Sequence, residues 1–248
     1  MSRALETFAI VAALIAFWQA VVSLTGAPPF ILPGPLRVGR ALVENRDLIA
    51  THAMITIVEV LWGLALGAAL GVATAICICV FALARRFILP IMLFTQAIPV
   101  FAIAPLLTLW FGYGLWSKVL MATLIIYFPV ALNFYDGLRR TDPGLLDLAR
   151  TMDAKPLQVL VRLRIMAALP SLGSGLRLAA VYAPIGAVIG EWVGASRGLG
   201  YLMLLANGRA RTDLMFAALI VLVLFTILLH KGVDVLARRL SIAAGASA

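Results

Sequence analysis

Apolar side chains fall into six long runs along the chain, separated by segments rich in polar residues, proline and glycine. The runs cover residues 5–24, 55–81, 87–111, 119–135, 172–193 and 214–236. Most reach the ~17–25 residues that a helix needs to cross the ~30 Å hydrocarbon core of a bilayer. The first run is longer than the ~7–15 apolar residues usual in a signal peptide, so we expect it to remain as a helix. The pattern therefore predicts an all-α, polytopic membrane protein with six transmembrane helices in one domain over residues 1–248.

Composition excludes a soluble domain. Hydrophobic residues make up 63% of the chain and charged residues only 12%, whereas soluble domains average roughly 45–50% and about 25%. The net charge of +9 does not indicate nucleic-acid binding, because positively charged cytoplasmic loops produce the same excess in membrane proteins. If the N-terminus lies in the cytoplasm, 13 of the 20 basic residues lie on that side. We therefore expect both termini to be cytoplasmic.

Prolines and glycines predict where the helices bend and where they approach each other. Three prolines interrupt the third run: Pro90, Pro99 and Pro105. Such breaks persist in lipid only where protein or a water-filled cavity satisfies the freed backbone groups, so this run is either an irregular helix that lines a pathway or a kinked packing helix. Three glycines lie four residues apart in the second run: Gly63, Gly67 and Gly71. They predict a smooth face against which another helix packs closely.

Polar side chains within the runs or at their ends are the candidates for a transport pathway or gate, because charge is costly in lipid. The candidates are Glu59, Gln96, Asn133, Tyr135 and Glu191. For Glu59 the competing interpretation, which we favour, is a position at the membrane interface, with water or a loop arginine as its partner. For Glu191 a role in an outer gate competes with simple anchoring at the interface. The other three either line a cavity or form hydrogen bonds between helices.

The longest predicted cytoplasmic loop, residues 136–171, contains its own helices. Asp142 followed by Pro143 is a good helix start, and it predicts a helix over 143–152. Four residues of this helix form an apolar stripe at i, i+3, i+4 and i+7: Leu145, Leu148, Ala149 and Met152. Asp147 and Arg150 occupy other faces, and Pro156 opens a second helix. The stripe either folds back on the protein's own bundle or docks in a groove of a cytoplasmic partner, and periodicity leaves both open.

This loop also resembles a known motif. Residues 147–154, DLARTMDA, continuing to AALP at 167–170, resemble the EAA loop of inner-membrane permeases in binding-protein-dependent ATP-binding-cassette (ABC) importers. Other segments are similar to the nitrate, sulfonate and taurine branch of that family: PLL at 105–107, WFGYG at 110–114, FP at 128–129, GLR at 137–139 and DP at 142–143. The resemblance covers nearly the whole chain. It implies a type I importer permease in the bacterial inner membrane.

The resemblance also implies partners and a coupling site. A pair of permease subunits, which we expect to be two copies of this chain, would sit on two copies of an ATPase that binds ATP and Mg²⁺, and a separate extracytoplasmic protein would bind the substrate. The short helix would be the coupling helix that seats in the ATPase, with seven residues at the contact: Leu145, Asp147, Leu148, Ala149, Arg150, Met152 and Asp153. Three of them depart from the family pattern, since Asp147 replaces Glu, Leu148 replaces Ala and Asp153 replaces Gly. A Gly there usually supplies a left-handed turn, which Asp tolerates less well.

We find no residues that suggest an enzyme, a metal site or a cofactor site in this chain. No GxxxxGK[ST] phosphate-binding motif is present, so ATP hydrolysis must belong to another subunit. His52 is predicted in an outer loop and His230 near the cytoplasmic end of the last run, so they do not suggest a metal pair.

The substrate is expected to be a small polar organic solute. Residues 182–192, YAPIGAVIGEW, look like the permease subgroup linked to pyrimidine precursors of thiamine, which we prefer to sulfonates, taurine or nitrate. Two acidic residues at membrane depth suggest a different class of protein, a proton-coupled secondary transporter, but that interpretation leaves the apolar stripe unexplained. A membrane-embedded hydrolase is the weakest alternative.

Overall fold

The computed structural model describes residues 3–245, and this part of the chain consists of helices joined by short connections, without a β-strand. The elements in chain order are α1 (Arg3–Thr25), α2 (Pro35–Glu44), α3 (Arg46–Val80), α4 (Ala82–Thr95), α5 (Val100–Phe111), α6 (Leu115–Arg139), α7 (Pro143–Thr151), α8 (Pro156–Gln158), a π-helical turn (Val159–Arg164), α9 (Ile165–Gly194), α10 (Leu199–Gly208) and α11 (Thr212–Ala243). Helix α8, the π-helical turn and α9 follow one another without a break, so they form one long helix.

Five of these helices are long and apolar enough to cross a membrane: α1, α3, α6, the long helix Pro156–Gly194, and α11. Helices α4 and α5 meet at an angle of 101° and provide a sixth span if the pair counts as one. These helices confirm the prediction of an all-α polytopic membrane protein.

The third apolar run is not one continuous helix. It breaks before Pro99, which lies at the N-cap of α5, while Pro90 and Pro105 are accommodated inside α4 and α5. Proline disfavours helical geometry in the residue before it and has no N–H for the helix ladder. The predicted irregularity is therefore confirmed, although the break is sharper than a kink.

Helices α3, α6 and α9 form the centre of the bundle, and small residues let them approach closely. A Cβ atom at Gly63 would lie 2.5 Å from Ala122 Cβ, one at Gly67 would lie 2.9 Å from Ile126 Cβ, and one at Gly71 would lie 2.8 Å from the carbonyl oxygen of Tyr127. The predicted smooth face of α3 is confirmed, and α6 is the helix that packs on it.

Several helices extend beyond the apolar runs that predicted them. Helix α3 begins at Arg46, so His52 lies in this helix and not in a loop as predicted. Helix α6 ends at Arg139 and the long helix begins at Pro156, so only residues 140–155 connect these helices, α7 included. Hydropathy marks where a helix enters lipid, but backbone hydrogen bonds continue the helix through the polar interface. Two shorter helices, α2 and α10, were not predicted.

Candidate functional site

Helix α7 lies at one end of the bundle and begins as the sequence predicts. The Asp142 carboxylate accepts a hydrogen bond from the Gly144 N–H at 2.7 Å, and Pro143 occupies the first turn. After Thr151 the chain turns sharply, because Asp153 has a φ of 52°, in the left-handed region. Asp153 therefore takes the conformation for which the family pattern has Gly.

The apolar stripe of α7 remains largely accessible. The exposed fraction is 46% for Leu145, 56% for Leu148 and 72% for Met152, whereas Ala149 is buried. The stripe lines one side of a cleft of about 290 Å³, whose other side is formed by the π-helical turn. Packing of α7 against the protein's own helices therefore buries Ala149, but it leaves the side chains of Leu145, Leu148 and Met152 exposed.

Charged groups lie beside this stripe on α7. The Arg150 guanidinium pairs with the Asp147 carboxylate at 2.9 Å, and both side chains are mostly exposed to water. An exposed pair at i, i+3 adds only about 0–1 kcal/mol to stability. The pair therefore leaves both groups available to a partner.

At the opposite end of the bundle, five residues from three helices form what we call the polar cluster: His52, Thr56 and Glu59 of α3, Lys118 of α6, and Glu191 of α9. The exposed fraction is 3% for Glu59 and 1% for both Lys118 and Glu191. Buried charges are stable only when they are paired and hydrogen-bonded, so the contacts within this cluster decide what it can do.

The Glu191 carboxylate and the Lys118 ammonium group have several partners. One Glu191 oxygen accepts a hydrogen bond from the Thr56 hydroxyl at 2.6 Å, and the other accepts from the Gly200 N–H. Lys118 Nζ donates to three backbone carbonyls: Tyr113 at 2.6 Å, Gly114 at 3.0 Å and Gly194. The cluster therefore joins α6 and α9 to the start of α10.

Helix α3 holds the connection between α9 and α10 through the same cluster. The Gly198 N–H donates to Nδ1 of His52 at 3.0 Å, and the Leu199 N–H donates to the Thr56 hydroxyl at 2.8 Å. Gly198 has a φ of 110°, and a Cβ atom there would overlap the Glu191 carboxyl group. Glycine is therefore required at this position for both conformation and space.

Of the five polar residues predicted from the sequence, the structure brings together only Glu59 and Glu191. Glu59 is buried beside Glu191, which contradicts the interpretation that it reaches water at the membrane interface. Gln96 is exposed at the end of α4, where the chain bends toward α5. The Asn133 amide donates to the Pro129 carbonyl at 2.8 Å within α6. Tyr135 is buried, and its hydroxyl has no hydrogen-bond partner within the described part of the chain.

Sequence reasoning missed Thr56 and did not connect Lys118 to the two carboxyl groups. One signal was present, because His52, Thr56 and Glu59 follow the spacing i, i+4 and i+7 and so share one face of α3. A polar stripe on an otherwise apolar helix indicates that this face meets other polar groups inside the bundle.

The sequence profile described as "Binding-protein-dependent transport system inner membrane component" matches residues 63–242. The chain belongs to this family. The permease is 48% identical, over 96% of its length and 97% of the relative's, to a probable ABC transporter permease protein of Haemophilus influenzae. It is 37% identical, over 80% of each chain, to the formylaminopyrimidine transport permease protein ThiX of Halalkalibacterium halodurans.

A solved structure shows the same fold. The permease superimposes on a chain of the MetNI methionine ABC transporter in an inward-facing conformation with a TM-score of 0.69 and 21% sequence identity, over 79% of this chain and 98% of that chain. At this identity the match concerns the fold alone.

Family membership places the permease in the inner membrane as a multi-pass transport subunit of an ABC importer, and it implies an ATPase and a binding protein as partners. More distant relatives carry the names of riboflavin and aliphatic sulfonate permeases, so membership alone leaves the solute open.

Proposed function

We propose that α7 is the coupling helix of this permease and that its apolar stripe docks in a groove of the ATPase. The exposed stripe of Leu145, Leu148 and Met152 is the observation that carries this proposal. Fully burying one such side chain contributes about 1.5–3 kcal/mol, so three half-exposed ones supply a few kcal/mol on docking. Asp147 and Arg150 orient the helix through charged contacts at the edge of the stripe.

In this proposal the α7 end of the bundle faces the cytoplasm, with both termini, and the polar cluster lies at the outer end. Two copies of the permease form a central pathway, and two ATPase subunits bind ATP and Mg²⁺ below it. A binding protein delivers the solute from outside. Closure of the ATPases then moves both α7 helices and alternates access to the pathway.

The proposed solute is a pyrimidine precursor of thiamine. The segment 182–192 resembles the permeases of such compounds, and the relative named ThiX supports the same substrate class. Sulfonates, taurine and nitrate are the alternatives, transported by the same mechanism. In this scheme the binding protein selects the solute. Uptake of a labelled pyrimidine in competition with a sulfonate decides between these substrate classes.

Capture of partners from native membranes tests the coupling helix. The tagged chain is purified in mild detergent beside two variants, and co-purifying proteins are identified by mass spectrometry. Leu148→Asp places a carboxylate in the centre of the stripe, where docking would have to desolvate it. Thr151→Asp places the same carboxylate on the same helix outside the stripe. We expect an ATPase with the parent chain and with Thr151→Asp, and its loss from Leu148→Asp.

Two outcomes contradict the proposal. Equal ATPase recovery and normal uptake in Leu148→Asp would show that the stripe is not the docking surface. A folded parent chain that retains no ATPase, and whose uptake is abolished by a protonophore, would replace the ABC mechanism with proton-coupled transport.

A further inference from the structure

The charges of the polar cluster can be assigned from its hydrogen bonds. Three ionisable groups lie almost completely out of water in the same region: Glu59, Lys118 and Glu191. If all three were ionised, the region would hold two negative charges and one positive charge. Two buried carboxylates side by side cannot both ionise without a large cost, so the arrangement requires one proton whose position the contacts reveal.

Lys118 is the positive charge. Its Nζ donates to the carbonyl oxygens of Tyr113, Gly114 and Gly194. A neutral amine has two N–H groups, whereas an ammonium group has three, and carbonyls can only accept. Three carbonyl partners therefore require the ammonium form, and they leave no N–H for either carboxyl group.

Glu191 is the ionised carboxylate. Both of its oxygens accept hydrogen bonds, one from the Thr56 hydroxyl and the other from the Gly200 N–H. The Leu199 N–H in turn donates to the Thr56 hydroxyl, which directs the hydroxyl proton toward Glu191. Donors aimed at both oxygens stabilise the charged form of a carboxyl group.

Glu59 has no such donors. Its Oε2 atom is buried and has no partner among the residues that the structure describes. The Glu191 carboxylate is a neighbour of the Glu59 carboxyl group, but two ionised carboxylates only accept hydrogen bonds. An ionised Glu59 would therefore be buried, unpaired and next to a second negative charge.

We propose that Glu59 is a proton-binding site: it holds one proton and donates it in a hydrogen bond to the ionised Glu191, beside the charged Lys118. Glu59, Lys118 and Glu191 together are then neutral, and the bound proton joins α3 to α9. The other titratable group of the cluster is His52, whose Nδ1 lies 3.0 Å from the Gly198 nitrogen and 3.1 Å from the Gly198 carbonyl oxygen. Arg197 adds a positive charge nearby.

The same chemical change at the two carboxyl groups gives a matched test. Glu59→Gln keeps a donor at this position and matches the protonated side chain in shape, so the thermal unfolding midpoint should stay close to that of the parent chain. Glu191→Gln turns one oxygen into an NH₂ group that faces the Thr56 hydroxyl or the Gly200 N–H. Two donors that face each other in a buried site form no hydrogen bond, and the desolvation of the NH₂ group is then not compensated. We expect the unfolding midpoint to fall by roughly 5–10 °C.

Infrared difference spectroscopy observes the proton directly in the purified full-length chain. The parent chain at neutral pH should show the carbonyl stretch of a protonated carboxylic acid that disappears in Glu59→Gln. This measurement needs no Glu191 variant, so it remains decisive if Glu191→Gln does not fold.

Three results would overturn the assignment: no protonated carboxyl band in the parent chain, a band that survives in Glu59→Gln, or a loss of stability in Glu59→Gln as large as that in Glu191→Gln. None of these readouts depends on transport, so the inference stands or falls separately from the importer mechanism.

Discussion

A single methyl group added at Gly186 should separate the two helices that make the most extensive contact in the bundle. A Cβ atom at Gly186 of α9 would lie 2.7 Å from Ala122 Cα and 3.2 Å from Ala122 N, both backbone atoms of α6. Ordinary contacts begin near 3.4 Å, and backbone cannot rotate away as a side chain can. The helices must therefore move apart by several tenths of an ångström, and overpacking of this kind costs about 1–3 kcal/mol.

A matched variant separates this cost from the effect of alanine itself. Gly232 lies within α11, and a Cβ atom there would meet nothing within 4 Å. Replacing a helical glycine by alanine gains up to about 1 kcal/mol, so Gly232→Ala should be neutral or stabilising. Both variants receive the same gain, and the difference between them measures the overpacking.

Thermal unfolding of the two purified variants gives this difference. At about 2–4 °C for each kcal/mol in a chain of this size, we expect Gly186→Ala to unfold roughly 3–10 °C below Gly232→Ala. Equal midpoints would refute the reasoning, because they would show that α6 and α9 are not in backbone contact at this position.

Three further substitutions test other contacts. Asp153→Gly should relieve the left-handed strain after α7 and slow tryptic cleavage after Arg150, whereas Asp153→Val should accelerate it; equal rates for both variants would mean that this turn is not left-handed. Lys118→Met leaves three carbonyls without a donor and Glu191 without a countercharge, so we expect the free energy of unfolding to fall by about 3–5 kcal/mol. An unchanged unfolding midpoint would disprove the buried contacts of Lys118. Asp234→Ala removes the carboxylate that accepts from Arg177 of α9 at 2.7 Å, and the unfolding midpoint should fall below that of Arg238→Ala, which leaves the Arg177 pair intact.

Local signals in the sequence predicted α7 well. The Asp142 cap, Pro143 and the apolar spacing lie within a dozen residues of each other, and the hydrogen bonds that start this helix are also local. Five of the six apolar runs likewise predicted single helices whose backbone hydrogen bonds stay within each segment, whereas the third run is divided between α4 and α5. Such features follow from sequence because no distant residue is needed to form them.

The polar cluster depends on distant residues, so the sequence showed only its parts. The Thr56 hydroxyl and the Glu191 carboxylate are separated by 135 positions, and no local pattern pairs them. The start of the apolar run at residue 55 favours a position at the membrane interface for Glu59, yet α3 begins at Arg46, 13 residues before Glu59. Helix α10, with 10 residues, is too short to give a span signal. It contributes backbone N–H groups to the cluster and the ring of Tyr201, which stacks on His52.

The π-helical turn has a mechanical consequence for the helix that contains it. That helix continues from Pro156 to Gly194, 39 residues, or roughly 58 Å at ~1.5 Å per residue. One end lines the cleft beside α7, and the other carries Glu191. The two ends therefore belong to one continuous helix, and no loop between them absorbs a displacement of α7. The π-helical turn at Val159–Arg164 holds one more residue than an α-helical turn. Returning it to α-helical hydrogen bonding would shift the helix that follows by about 1.5 Å along its axis and rotate it by roughly 100°. A small change of register beside α7 would in this way rotate the part of the helix that carries Glu191.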